Sequence, residues 1–334
     1  MSTLLGERTR RPALSAMEVL VLIVIIAILV GLLIPAIQKV RVASARIASA
    51  NNLKQMSQAC QKYDSTHGKL PAAYCENFFV GRKPNLPPLP EGKSGSINLF
   101  TLMLPYVGQE ELYRLYMTSP NPYYYSDALT LIAAPILPRG KAPIEQVIKT
   151  YLAPADPSGS SHQTLMLPWY SQPNLACALT SYAGNFAVFA RSGDMMYNPI
   201  SASMYDLERD YNWSHSCSAG AIQDGASNTL IFSERFGMCP DSVWGADYAV
   251  NAWMGNNYYY GVGYMPIIFP RYGRPEFSTN PSNCTSYKMH SLSTGVVQIA
   301  MADGSVRSVS RSITDGVWAL LLNPQDGQVL PADF

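Results

Sequence analysis

The chain begins with a polar, basic stretch and then loses its polar positions almost at once. From Val19 to Ile37 it reads VLVLIVIIAILVGLLIPAI, nineteen uncharged residues between Glu18 and Gln38. A helix of that length, at about 1.5 Å per residue, spans roughly 28 Å, close to the hydrocarbon thickness of a bilayer. Gly31 and Pro35 interrupt the run, and both are tolerated in membrane helices whose neighbours satisfy the freed backbone groups. Beyond Lys39 the pattern becomes periodic. Val40, Ala43, Ile47, Ala50, Leu53, Met56, Cys60 and Tyr63 recur at spacings of three and four, with Arg41, Arg46, Lys54 and Gln55 at other positions. Together the two patterns predict one helix from about Met17 to Tyr63, with Pro35 as its kink. Its first half is apolar all round and its second half is amphipathic. Gly68 and Pro71 predict its end.

Charge gives the first half a direction. Arg8, Arg10 and Arg11 precede it, alongside Glu7, and only Lys39 and Arg41 follow closely. The stronger basic cluster stays cytoplasmic, so the remainder of the chain crosses over. A secretory signal peptide fits less well, because its apolar core is shorter and ends at a small-residue cleavage site. Ala36-Ile37-Gln38 is a poor version of such a site. Glu18 is the anomaly: a carboxylate at the mouth of a membrane segment is costly to bury and needs a reason.

The C-terminal region carries a different pattern. Val296–Ala302 and Ser305–Ser310 are two β-favouring runs flanking Asp303-Gly304. Glycine accepts the positive φ of a tight turn, so residues 296–310 predict a hairpin. Ile313–Leu322 predicts a short helix, capped by Thr314 or Asp315 and followed by Pro324. Lys83–Ser94 and Tyr258–Pro275 are low-charge loops rich in Pro, Gly or Tyr. They suit either variable recognition surfaces or ordinary turns packed by aromatic rings.

Composition narrows the class. The 334 residues carry a formal net charge of +1, with only 14% charged. There is no basic excess to suit nucleic acid. About 270 residues follow the first helix, enough for one large domain. Six cysteines are present: Cys60, Cys75, Cys177, Cys217, Cys239 and Cys284. In an oxidising compartment an even count allows up to three bridges, among about fifteen possible pairings. A Cys60–Cys75 bridge would close the helix end onto the following loop. No CxxC pair occurs, and His67, His162, His215 and His290 are scattered through predicted loops. HExxH, Walker, GxSxG and dinucleotide fingerprints are absent. The expectation is a protein that is not an enzyme and needs no cofactor. Asp224 and Asp303 sit in turn motifs, where Asx bonding explains them, and no EF-hand loop is present.

Ala13-Leu14-Ser15-Ala16-Met17-Glu18, followed by the apolar helix, resembles the prepilin-type cleavage and methylation signal. The resemblance implies cleavage by a prepilin peptidase between Ala13 and Leu14, methylation of the new amine, and Glu18 as the fifth mature residue. Ala13 stands where glycine is usual, and Leu14 where phenylalanine is usual. In pilins this glutamate is thought to neutralise the amine of an adjacent subunit. Further matches run along the chain: Asn51–Gln55 with Thr66–Pro71, Leu102–Val107 with Glu110–Tyr113, Tyr151–Pro157 with Ala153 at a usual cysteine, Thr180–Asn185, and Asp224–Glu234 with Asp224, Gly225, Ser227 and Asn228. The last is Val296–Val309. This ordered set resembles a large pseudopilin-like family that joins a prepilin-type N-terminus to a domain of unknown function. That family's final region pairs a His with Asp-Gly nine residues on. Here twelve residues separate His290 from Asp303-Gly304, which implies an inserted loop at Ser291–Thr294 or loss of what the His contacts.

The resemblance implies an α+β fold: a prepilin-type leader over 1–13, a transmembrane and amphipathic helix over 14–66, and a mainly antiparallel β domain with short helices over 67–334. It implies a structural subunit of a type II secretion or type IV pilus-like assembly. Its partners are the prepilin peptidase, other pseudopilins or copies of itself, and the inner membrane, with Glu18 and Pro35 in the assembling helix. The C-terminal domain is expected in the periplasm of a Gram-negative envelope or on a surface filament. Calcium is the one ion the resemblance leaves open. The alternative is a single-span, periplasm-facing binding protein that uses the same anchor without polymerising.

Overall fold

The structure is a computed structural model. It describes residues 16–76, 96–118, 146–158, 163–165, 175–192, 211–212, 217–239, 249–250, 267–268, 273–285 and 288–331. Ala13, Leu14, the loop 83–94 and most of 258–275 lie outside the described residues.

Helix α1 runs from Ala16 to His67, 52 residues, with Pro35 inside it. Its end follows from local chemistry. Gly68 turns to φ +71° and its N–H bonds the Asp64 carbonyl at 2.7 Å, a left-handed cap that glycine adopts without steric cost. The chain divides into two compact units between Ser44 and Ala45, so the second half of α1 folds with the C-terminal unit. In that half Ser49, Leu53, Met56, Ser57, Ala59, Cys60 and Tyr63 are buried. The predicted apolar stripe is covered only in part, since Val40, Ala43 and Ile47 are exposed. Periodicity marks a face able to pack, and the domain's own packing begins at Ser49.

The strands, in chain order, are β1 (Tyr74–Glu76), β2 (Ser96–Asn98), β3 (Gln163–Leu165), β4 (Leu175–Cys177), β5 (Tyr182–Asn185), β6 (Arg191–Ser192) and β7 (Tyr211–Asn212). They continue with β8 (Leu230–Glu234), β9 (Met238–Cys239), β10 (Ala249–Val250), β11 (Ile267–Ile268), β12 (Val296–Met301) and β13 (Val306–Ser310). Five of them form the central sheet in the order β11-β5-β8-β12-β13. β11 runs parallel to β5, and the remaining neighbours are antiparallel. The other pairs, β1–β2, β3–β4, β6–β7 and β9–β10, are small antiparallel ribbons. The fold class is α+β, as expected from the sequence.

Strand β12 shows why the central sheet is buried on both faces. Val297, Ile299 and Met301 join one apolar cluster with Val309, Trp318, Leu321 and Leu322. Ala300 and Ala302 join the other, with Leu53, Met56 and Cys60 of α1 and the rings of Phe100, Tyr182 and Phe232. The alternation of pointing directions along a strand serves two cores at once. The C-terminal helix is Asp315–Leu322, and the Thr314 side chain caps it by accepting the Val317 N–H. Asn185 ties the layers together. It caps the short helix Phe186–Phe189 and donates to the carbonyls of Leu230 and Leu322, both at 2.8 Å.

Candidate functional site

The first candidate is the apolar half of α1. Its large side chains from Met17 to Ile37 are all exposed, and it is long and apolar enough to cross a membrane. Glu18 lies in its first turn, and Pro35 is internal.

The second lies where α1 meets the sheet. Glu234 ends β8, a strand buried along its whole length. Ser49 of α1 donates to its Oε1 at 2.5 Å, and the Gln298 N–H of β12 donates to Oε2 at 2.9 Å. The Ser49 hydroxyl also meets the Tyr182 hydroxyl at 3.1 Å, and Asn52 donates both to that hydroxyl and to the Leu152 carbonyl. One carboxyl thus links the helix, β8 and β12, and through Ser49 reaches β5. Burial pushes the Glu234 carboxyl up to about 7, against the downward pull of Ser49, Gln298 and Arg46. Burial, and the neighbouring Glu234 charge, also push Tyr182 up. Both oxygens of Glu234 are engaged within the fold, and the residue is 1% exposed.

Nearby, Asp156 of the Tyr151–Pro157 motif accepts from Ser158 N and Oγ on one oxygen, and from Ser181 Oγ and Gly237 N on the other. Four donors on one buried carboxylate bind three loops together.

The two Asp-Gly turns of the sequence motifs meet at the opposite end of β8 from Glu234. Gly225 and Gly304 both take φ +89°. Asp303 N–H bonds the Ala226 carbonyl at 3.0 Å, Ala302 N–H bonds that of Thr229, and Arg307 donates to that of Ser227. Asn228 donates to the Asp224 carbonyl. The Asp224 carboxylate accepts the N–H groups of Asp326 and Gly327, one on each oxygen, and Asp303 accepts that of Ser305. Both aspartates therefore act as turn ties. Ser57 and Gln61 of α1 dock here, donating to the carbonyls of Met301 and Ala302.

His290 stands apart from the Asp-Gly turns, near the Glu234 end of β8, where its N–H bonds the Glu234 carbonyl. Between His290 and Asp303 the chain makes a turn closed by Ser291 Oγ on the carbonyls of Ser293 and Val296, with Gly295 at φ +79°. His290 keeps a full set of contacts. Its Nδ1 accepts the Phe236 N–H at 3.3 Å, its ring stacks on Phe236, and its Nε2 faces the Thr285 carbonyl at 3.1 Å and Glu276 at 3.6 Å. Burial lowers its pKa. Burial would raise Glu276, but bonds from His290 and Thr285 outweigh that and bring it to about 2.

Cys239 and Cys284 form a disulfide with Cα atoms 5.7 Å apart. Cys60 is a free thiol, so the expected Cys60–Cys75 bridge is not formed. The Cys60 thiol is buried against the Met103 sulfur instead, because its position on the α1 stripe points it into the core. Cys75 and Cys177 lie in β1 and β4. The donor atoms of Cys239, Cys284 and His290 lie within 4.8 Å of one another. The sulfurs are bonded to each other, however, and the Phe236 N–H on Nδ1 leaves the ring proton on Nε2, the nitrogen facing them. That is the wrong tautomer for a metal ligand.

Sequence reasoning singled out Glu18, the Asp-Gly turns and His290. It passed over Ser49, and it gave Asn52, Tyr182 and Glu234 no role of their own within their motifs. The available signal was a glutamate closing an apolar run, LIFSE, and a serine within the helical segment that packs.

The fold defines an α+β protein whose N-terminal helix begins with an exposed apolar stretch. Residues 38–316 match the family described as protein of unknown function (DUF1559), and the chain belongs to that family. No curated protein and no solved structure matches the chain.

Proposed function

We propose that the chain is a membrane-anchored, pilin-like structural subunit of a type II secretion or type IV pilus-like assembly. A prepilin peptidase cuts before Leu14, the new amine is methylated, and Glu18 pairs with the amine of a neighbouring copy or pseudopilin. The protein sits in the inner membrane as a single span with its C-terminal domain on the periplasmic side, and it acts without enzymatic chemistry or a cofactor. The observation that carries this reading is the single unbroken helix α1. Its first half leaves its large apolar side chains exposed, and its second half is built into the domain core. A buried core helix would cover both halves, and a signal peptide would have no share in the core.

Mass analysis of the mature N-terminus, from membranes and from sheared surface material, tests the proposal. A chain starting at N-methylated Leu14 in the sheared fraction is expected. A chain starting at Met1 and confined to membranes would sink it in favour of an anchored binding protein. Glu18→Ala is expected to insert normally yet enter assemblies at least tenfold less. Leaving a buried charge unpaired costs about 3–5 kcal/mol, and co-purification with tagged wild type reads the ratio.

A further inference from the structure

We propose that the Cys239–Cys284 bond is a redox site, opened by an external dithiol and closed again by a disulfide oxidant, with His290 as its positioning residue. The inference is independent of the assembly reading. The two sulfurs are unlike. Cys239 ends β9 and is 2% exposed, whereas Cys284 follows the turn Pro281–Asn283 and is partly exposed. An incoming thiolate therefore reaches Cys284 first, and Cys239 is the leaving group.

The surroundings of Cys239 suit that role. His290 Nδ1 is occupied by the Phe236 N–H, so the neutral ring presents Nε2–H. That nitrogen lies 3.8 Å from Cys239 Sγ and 3.1 Å from the Thr285 carbonyl. A small ring movement turns the donor from the carbonyl to the sulfur when the sulfur becomes a thiolate. A stabilised leaving thiolate makes a disulfide faster to open and more oxidising. Glu276 works against this, since its carboxylate lies 3.6 Å from the same nitrogen. It is held there by the N–H and hydroxyl of Thr285 and by Lys288 at 3.8 Å. Arg235 is the other charge acting on His290.

The chemistry balances as ordinary exchange. The thiolate of the reductant attacks Cys284 Sγ, the Cys239–Cys284 bond breaks, and its electron pair stays on Cys239 Sγ. The second thiol of the reductant then attacks its own sulfur in the mixed disulfide and releases Cys284 as thiolate. One proton of the dithiol ends on Cys284 and the other leaves to solvent, Cys239 stays a thiolate held by the His290 Nε2–H, and the reductant leaves as a disulfide.

The test uses the full chain in detergent, without denaturant, equilibrated in graded ratios of reduced to oxidised dithiothreitol. Differential alkylation and mass spectrometry read the thiols, and circular dichroism monitors the fold. Reversible opening in the folded protein is expected, and limiting glutathione should be trapped on Cys284. His290→Gln should shift the equilibrium toward the disulfide about tenfold, or about 30 mV. Glu276→Gln, at a partly exposed position, should shift it the other way, which a purely structural role would not do. Opening only on unfolding, trapping on Cys239, or a Glu276→Gln protein with the wild-type equilibrium would overturn the proposal. Stoichiometric, tight zinc uptake by the reduced wild type would also overturn it, in favour of a metal site.

Discussion

At the scale of single residues, Glu234 carries the sharpest consequence. Its carboxyl titrates near 7 in the fold, against 4.5 as the reference value. The folded form holds the proton more tightly than the unfolded one. The stability contributed by the protonated group is fully present below pH 4.5 and is lost as pH rises through 7. The shift corresponds to about 3 kcal/mol. Urea unfolding of the detergent-solubilised chain should show wild type losing that much between pH 5 and 8 relative to Glu234→Gln, which stays neutral. Parallel pH profiles would show that the carboxyl is not titrating inside the fold. Gly184 is a second such residue. A Cβ there would sit 2.4 Å from Leu99 Cδ2 and 3.1 Å from the Phe189 ring. Gly184→Ala should cost about 1–3 kcal/mol by overpacking, and Leu99→Ala in the same chain should recover part of it. Neither residue was legible as special from the sequence. Glu234 ends a motif with nothing to mark it as buried, and the close approach at Gly184 depends on residues 85 positions away and on a neighbouring helix.

Among the elements, α1 was the most legible, because its two periods of hydrophobicity are strong and long. What periodicity did not disclose is which part of the amphipathic stripe is covered. Leu53 is fully buried and Ile47 is 63% exposed, though both fall on the same predicted stripe. Leu53→Ala should therefore cost about 2–5 kcal/mol of domain stability, while Ile47→Ala should leave the urea midpoint within experimental error. Equal losses would mean that Ile47 is covered within a single chain. The β12–β13 hairpin was legible for a local reason: Asp303-Gly304 closes it between neighbouring runs, and the structure pairs Val296 with Ser310 across it. The order of the central sheet was not, because β5, β8 and β12 are joined by long connections whose pairing no local pattern encodes.

For the whole molecule, the sequence motifs supplied the parts and the fold supplied their grouping. Asp224-Gly225 and Asp303-Gly304 are 79 residues apart in the chain, yet the Asp303 N–H bonds the Ala226 carbonyl beside Gly225, whereas His290, nearer in sequence to Asp303, lies toward the other end of β8. The disulfide was likewise unreadable, since cysteine spacing leaves every pairing open until long-range contacts select one. The Cys239–Cys284 bond spans 45 residues, so replacing both cysteines by serine should lower stability by about 4 kcal/mol, measured by urea unfolding under oxidising conditions. The docking of α1 also governs how the protein can be made. Ser57 and Gln61 bond the carbonyls of Met301 and Ala302 across separations of 244 and 241 residues. Part of α1 therefore closes on strands made more than 240 residues after it. The core cannot close until those strands have been made, and contacts of such long range are slow to find. A nascent domain therefore keeps the inner face of α1 open to water until β12 and β13 emerge.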